Sequence, residues 1–315
     1  MHTSSPSDLK ARADLAAGYM ALGLLESALG ITLSQHDAWP VWLLGQLLLC
    51  VSMVRWFAIL HEAGHNTLFR NRRLNALSGH IASLFTVIPF YTWRSIHALH
   101  HRWTGWQDLD PTTEALVPRQ LAPIERAIID LCWRWSIPLF SILYRATNFW
   151  NLPRLLRRMP RAHHRRRHIG NIFGLGAIYL TCWLIAGPAL MLKTFGLAFL
   201  LSLVVYDPIL FSQHNHIPQK LSHGEDVSPH APADQVVFTR SLVFPPLISR
   251  YILLNFDAHE LHHRYPHIPG YLLDRLPPDE PTPNARDWWQ WLRAAKRVPA
   301  SVIMFKNRDE TGLDI

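Results

Sequence analysis

The sequence predicts an all-α integral membrane protein: four transmembrane helices and a cytoplasmic helical cap, in a single domain spanning 1–315. Three observations carry this. Four long apolar runs occupy residues 13 to 33, 39 to 60, 169 to 187 and 194 to 213, each near the ~20 residues that cross a bilayer. Charged residues make up only 17% of the chain, against about 25% in an ordinary soluble domain. Three histidine clusters punctuate the sequence: His61-Glu-Ala-Gly-His65, His97-Ala-Leu-His100-His101 and His259-Glu-Leu-His262-His263. Their three- and four-residue spacings place each set on one face of a helix.

The first apolar run is diluted by Asp14 and Glu26 but keeps its length. Polar residues precede it and no small-residue cleavage site follows, so a retained span is expected rather than a signal peptide. The second run ends on the first histidine cluster. Residues 74 to 93 are also apolar, but Pro89 interrupts them and Arg94 and His97 follow at once. A crossing there would separate the first two clusters, so a re-entrant or interfacial segment is expected. Residues 124 to 150 mix Arg, Trp and aliphatic side chains in an amphipathic pattern suited to the headgroup region.

Orientation follows from the basic residues. The short connections 34 to 38 and 187 to 193 hold one, Lys193, whereas the segment between the second and third runs holds sixteen arginines. Positive residues stay on the cytoplasmic side. Both termini and all three clusters are therefore expected in the cytoplasm, at a bacterial inner membrane. The net charge of +8 and the pI near 9.7 then report topology, not nucleic-acid binding. His163, His164 and His168 sit within the arginine run, which repels cations and reads as a solvated or headgroup-facing surface. Cys50, Cys132 and Cys182 form no CxxC, which excludes an iron–sulfur centre of that type. No GxGxxG nucleotide loop occurs.

Eight imidazoles from three segments exceed what one zinc needs, so two metal ions are expected. His61 to His65 also satisfies HExxH, the zinc-protease motif with Glu62 as base. A zinc hydrolase has no use for two further HxxHH clusters and must keep one coordination position open. Imidazole-rich sites for two ions suit iron, which can activate dioxygen against an unactivated C–H bond. Beside a bilayer, the accessible C–H substrate is an acyl chain. A metal transporter or sensor would instead place polar ligands within its spans.

The segments HEAGHNTLF, HALHHRWTG and NFDAHELHHRYPHIPGY resemble the three histidine boxes of the integral-membrane fatty acid desaturases, and QHNHIP resembles an additional element before the third box. The likeness runs from about Trp39 to Leu273, in the right order. It implies a non-haem di-iron centre held by His61, His65, His97, His100, His101, His259, His262 and His263, with His214 as a ninth ligand. His216 and Asp207 are further candidates. Glu62, Asp108, Asp110, Asn255 and Asp257 are the candidate partners that orient the ligand rings, with Glu260 either another or a solvated helix face. His267 follows Pro266 and is given a structural role; His2, His36, His80, His223 and His230 need none at the metals.

The resemblance implies oxygen-dependent oxidation of a fatty acyl chain, with desaturation expected ahead of lipid hydroxylation or decarboxylation to a terminal alkene. Arg94, Arg102 or Arg264 could receive the carboxylate of a free acid. No haem, flavin or iron–sulfur module is visible, so external electrons must come from a separate donor, such as a ferredoxin with its reductase docking on a basic surface.

Overall fold

Two polar contacts inside the bilayer region set the first hairpin. In this computed structural model, which describes residues 5–315, helix α1 (Ala13–Leu33) runs antiparallel to α2 (Trp39–His65). Ser27 and Ser52 meet at 2.6 Å, and Arg55 forks onto Glu26 at 2.7 and 2.9 Å. The helices approach closely at their turn because Gly45 has no side chain; a Cβ there would lie 2.6 Å from the Ser34 nitrogen. His2 lies outside the described residues.

Helix α2 is the hub and touches α1, α3 (Arg72–Thr86), α4 (Phe90–Trp103) and α10 (Leu197–His214). It continues five residues beyond the expected end of its span and so carries the first histidine cluster within the helix. Asn66 then ends it in the left-handed conformation, φ 61°, which asparagine tolerates. The segment 74 to 93 is two helices: Val87 turns the chain left-handed and Pro89 caps α4. The segment 124 to 150 is likewise broken, into α5 (Pro123–Arg134) and α6 (Leu139–Arg145, continued as a π turn to Trp150), bent by 112°. Pro138 between them cannot continue a helix.

After α7 (Leu152–Arg158), helix α8 (Ala162–Ala186) begins earlier than its apolar run, so Arg165 to Arg167 are part of the helix. Helix α9 (Pro188–Met191) passes through a π turn (Leu192–Gly196) into α10. Gln46 of α2 binds that turn: it donates to the carbonyls of Lys193 and Thr194 and accepts from the Ala198 amide. A π turn frees backbone groups, and in an apolar setting another side chain must pair them. Among the described residues, four helices are long and apolar enough to cross a membrane, counting α9 to α10 as one, or five if the bent α5–α6 pair is one span.

Beyond α10 the chain folds into the cap. It holds α11 (His259–Arg264), a two-residue parallel pairing of β1 (Leu242–Val243) with β2 (Arg286–Asp287), and α12 (Trp288–Ala295), α13 (Ala300–Phe305) and α14 (Arg308–Thr311). The largest buried cluster joins Phe57, Trp93, Tyr206, Phe256 and Tyr271 under the histidines.

The Arg55–Glu26 pair is nearly dry, and removing one partner strands a charge. Arg55→Met is expected to destabilise the protein by about 3 kcal/mol, with the double variant Arg55→Met/Glu26→Gln recovering part of the loss. Thermal denaturation in one detergent measures both; equal losses in single and double variants would contradict the coupling.

Candidate metal centre

Four helix ends converge. The first histidine cluster closes α2, the second lies in the last two turns of α4, His214 ends α10, and the third cluster makes up α11. Close approach of α2 and α4 requires Gly64, where any Cβ would overlap the Trp93 ring. Trp93 in turn stacks on His97 at 4.4 Å. Leu254 and Asn255, both left-handed, turn the chain into α11, and Tyr265 and Pro266 end it.

The rings form two groups: His61, His65, His97 and His262, and His100, His214, His259 and His263. His101 lies between them. Its Nε2 is 2.9 Å from that of His262 and 3.1 Å from that of His97, while its ring stacks on His263 at 4.3 Å. Within the groups, Nε2 atoms face one another: His65 to His97 at 2.8 Å, His214 to His259 at 2.9 Å, His259 to His263 at 3.1 Å and His100 to His263 at 3.3 Å.

Such distances suit hydrogen bonds or neighbouring ligands on one ion; the tautomers decide between them. The Gln235 amide donates its Nε2 to the His101 and His230 carbonyls, leaving Oε1 to accept from His263 Nδ1 at 2.9 Å. His100 Nδ1 donates to Asp110 at 2.7 Å. His214 Nδ1 donates to the Phe238 carbonyl at 3.2 Å, and His61 Nδ1 to Glu62 at 3.1 Å. With the proton on Nδ1, Nε2 carries only a lone pair. His100 and His263 therefore face each other acceptor to acceptor, and buried His61 Nε2 has no hydrogen-bond partner. Cations resolve both facts. Two nitrogens on one ion at about 2.1 Å stand roughly 3.0–3.4 Å apart. Burial pushes His97, His101, His259, His262 and His263 well below the usual imidazole range, and neighbouring rings push them further. They are neutral, the form that ligates.

Asp110 and Glu62 set negative charge one hydrogen bond behind the rings. Burial raises the Asp110 carboxyl, but His100 outweighs it and holds the group below its ordinary value. Thr112 buttresses Asp110 through its amide and hydroxyl. Glu62 also accepts from Thr67 Oγ1 and the Gly270 amide, both at 2.8 Å.

The other expected partners lie elsewhere. Asp108 accepts the Ser222 amide and hydroxyl and anchors that loop. Asn255 donates to the Gly270 carbonyl, and Asp257 accepts from Ser249. Both brace the turn before α11, and neither bonds to a ring. Glu260 is fully buried, not solvated, and clamps the Ser241 and Asn284 amides. His216 faces the Lys306 and Leu313 carbonyls and fastens the C-terminal segment. Asp207 accepts from the Ser141 amide at 2.7 Å, away from the metal groups. His267 is exposed beyond α11. Gln235, Thr112 and the Phe238 carbonyl, which do orient the site, belong to no motif.

A small pocket of about 40 Å³ lies against His61, His97, His100, His214 and His259. It shares Thr112, Leu116, Phe140 and Tyr144 with a cavity of about 240 Å³ walled by α5, α6 and α13. Arg94, Arg102 and Arg264 line neither one. Arg154, which does line the larger cavity, is committed to Glu114, Asn148 and the Pro111 and Thr147 carbonyls.

Asp110→Asn is expected to weaken metal retention roughly 10- to 100-fold, read as metal content after dialysis against graded chelator. Retention equal to that of the parent would detach Asp110 from the metals.

The family described as fatty acid desaturase matches residues 37–292. A probable fatty acid desaturase of Sorghum bicolor is 26% identical over 78% of this chain and 65% of its own length. An acyl-lipid omega-3 desaturase (cytochrome b5) of the endoplasmic reticulum of Arabidopsis thaliana is 24% identical over 78% of this chain and 65% of its own. A chloroplastic sn-2 acyl-lipid omega-3 desaturase (ferredoxin) of Helianthus annuus is 23% identical over 81% and 57%. The chain thus spans about two thirds or less of the length of these relatives. Matched across all three histidine clusters and the helices that carry them, this chain belongs to the fatty acid desaturase family.

Proposed function

We propose that this chain oxidises an unactivated C–H bond of a fatty acyl chain, by desaturation, at a non-haem di-iron centre. The observation that carries the proposal is the joining of two groups of inward-facing imidazoles to an apolar cavity through shared walls. Family membership supports the reaction type. Two irons would be held by His61, His65, His97, His101 and His262, and by His100, His214, His259 and His263. With dioxygen and external electrons, iron there supplies the oxidising power that no side chain has.

The chain's own residues do the rest. Glu62, Asp110 and Gln235 fix the tautomers of His61, His100 and His263, so the Nε2 lone pairs of those rings stay aimed inward. Phe57, Trp93 and Phe256 keep water from the inner pocket. Leu116, Phe140 and Tyr144 narrow the passage, so one stretch of methylenes is presented at a time. Glu62 does not fit the zinc-protease role. Its carboxylate is occupied by Thr67, His61 and the Gly270 amide, whereas a general base must reach a metal-bound water.

Electrons would come from a separate carrier; relatives are named with cytochrome b5 and with ferredoxin. The arginines between the second and third spans support a cytoplasmic position for the metal groups. Iron-loaded protein given oxygen, reductant and a panel of fatty acids and acyl lipids is expected to yield products two hydrogens lighter by mass spectrometry. Products one oxygen heavier would assign hydroxylation, and products one carbon shorter would assign decarboxylation; activity without oxygen would overturn the reading. Phe140→Trp is expected to cut turnover at least about tenfold while iron content holds, as blocked positioning predicts.

A further inference from the structure

Hydrogen bonds tie helix α8 to α3 and α4 at two points. Asn171 accepts the Tyr91 amide at 2.8 Å, and the Tyr179 hydroxyl donates to the Ser83 carbonyl at 3.0 Å. These points are about 12 Å apart along the helix. Between them the seam is open: a groove of about 540 Å³ runs along Ile81 and Leu84 of α3, Tyr91 of α4, and Gly170, Gly174 and Ile178 of α8. A Cβ on Gly170 or Gly174 would meet nothing within 4 Å. In a membrane, such an apolar gap is filled by hydrocarbon.

One end of this groove is cationic. Arg166 and Arg167 line it, and Arg167 lies 5.7 Å over the Tyr91 ring. Arg94, half-buried on α4, is one turn from Tyr91. Burial lowers its guanidinium from the ordinary value, and the charges of Arg72 and Arg167 lower it further. Among the described residues, none of these four arginines forms an ion pair; the carboxylates that pair with arginine or lysine serve others. Arg94 is half-buried with the exposed Arg72, Arg166 and Arg167 around it; such a cluster of like charges calls for an anion, and the apolar groove leading away from it calls for an attached chain.

We propose that this groove binds an anionic phospholipid, with its phosphodiester held by Arg94 and Arg167 and one acyl chain lying in the notch of Gly170 and Gly174. Basic pockets between membrane helices receive such headgroups. The site is separate from the metal groups and shares no lining residue with either cavity beside them. It does touch α4 at Tyr91, six residues before His97, so the lipid would brace the helix that carries the second histidine cluster.

Native mass spectrometry of the full chain tests the proposal, after exchange into detergent with phosphatidylglycerol or with phosphatidylcholine of the same chains. Retained phosphatidylglycerol is expected, with little phosphatidylcholine. Arg94→Gln/Arg167→Gln is expected to weaken retention about tenfold or more, the scale for two cations near a headgroup. Gly174→Leu fills the notch with the charges intact and is expected to lose the lipid too; it also carries the test if the double variant fails to fold. Arg102→Gln, exposed on α4 outside the groove, serves as control and should retain lipid. Equal retention of both lipids, or undiminished retention in the variants, would overturn the proposal. So would inorganic phosphate raising the melting temperature as much as phosphatidylglycerol does, which would mark a free-anion site.

Discussion

Lone pairs that face lone pairs are the constraint on which this structure depends. Buried imidazoles with Nδ1 committed to donate cannot bond to one another through Nε2, so without cations the cluster is repulsive and desolvated. The His100–His263 contact and the unpartnered His61 Nε2 state this most directly. The fold supplies compensating negative charge through Asp110 and Glu62, one hydrogen bond behind the rings. In the proposed di-iron centre, that distance would let the carboxyl groups support the cations while the nitrogens alone ligate. Helix lengths and breaks follow from the same need. Helix α2 outruns its bilayer span, α4 starts afresh after Pro89, and α11 lasts only as long as its histidines.

The orienting groups also tie the site together. Glu62 of α2 accepts the Gly270 amide beyond α11, and Gly270 fits only because it lacks a side chain: a Cβ would lie 2.8 Å from Glu62 Oε1. Gln235 joins α4 to α11 by donating to the His101 carbonyl while accepting from His263. Each polar group that sets a tautomer thereby holds two segments in register. Loss of one is felt both as a misaimed ring and as a loosened cap.

Much of this was legible in the sequence because it rests on periodicity. The four apolar runs became helices, three of them with shifted ends, and the histidine spacings placed the eight box imidazoles on helix faces that meet, where His214, named by the family resemblance, joins them. Asp110 and Glu62 were within reach of sequence reasoning, being close in the chain to the rings they touch. Asp108, Asn255 and Asp257 were equally close but point to other loops, since proximity along a chain says little about direction once it turns. Gln235 and the Phe238 carbonyl carried no signal: their roles arise from a loop folding back over distant helices, and a carbonyl has no residue type. Phe140 and Tyr144 did carry one, an aromatic pair four residues apart, but it reads equally well as ordinary amphipathic packing.

Asp207 shows how the bilayer part and the site are coupled. An ionisable residue in a span is costly, and its position near the end of α10 invites a metal role. It instead accepts the amide of Ser141, in the first turn of α6. Amides in a first helical turn have no partner within their own helix. Here Pro138 and the 112° bend leave that turn facing the interior, where water cannot serve it. The carboxylate thus fixes the elbow between α5 and α6, and that elbow is the wall of the apolar cavity leading to the histidines. The charge in the span is therefore best understood as a support for the cavity's shape: a residue remote from the histidines holds the wall that the proposed acyl substrate would meet on its way to them.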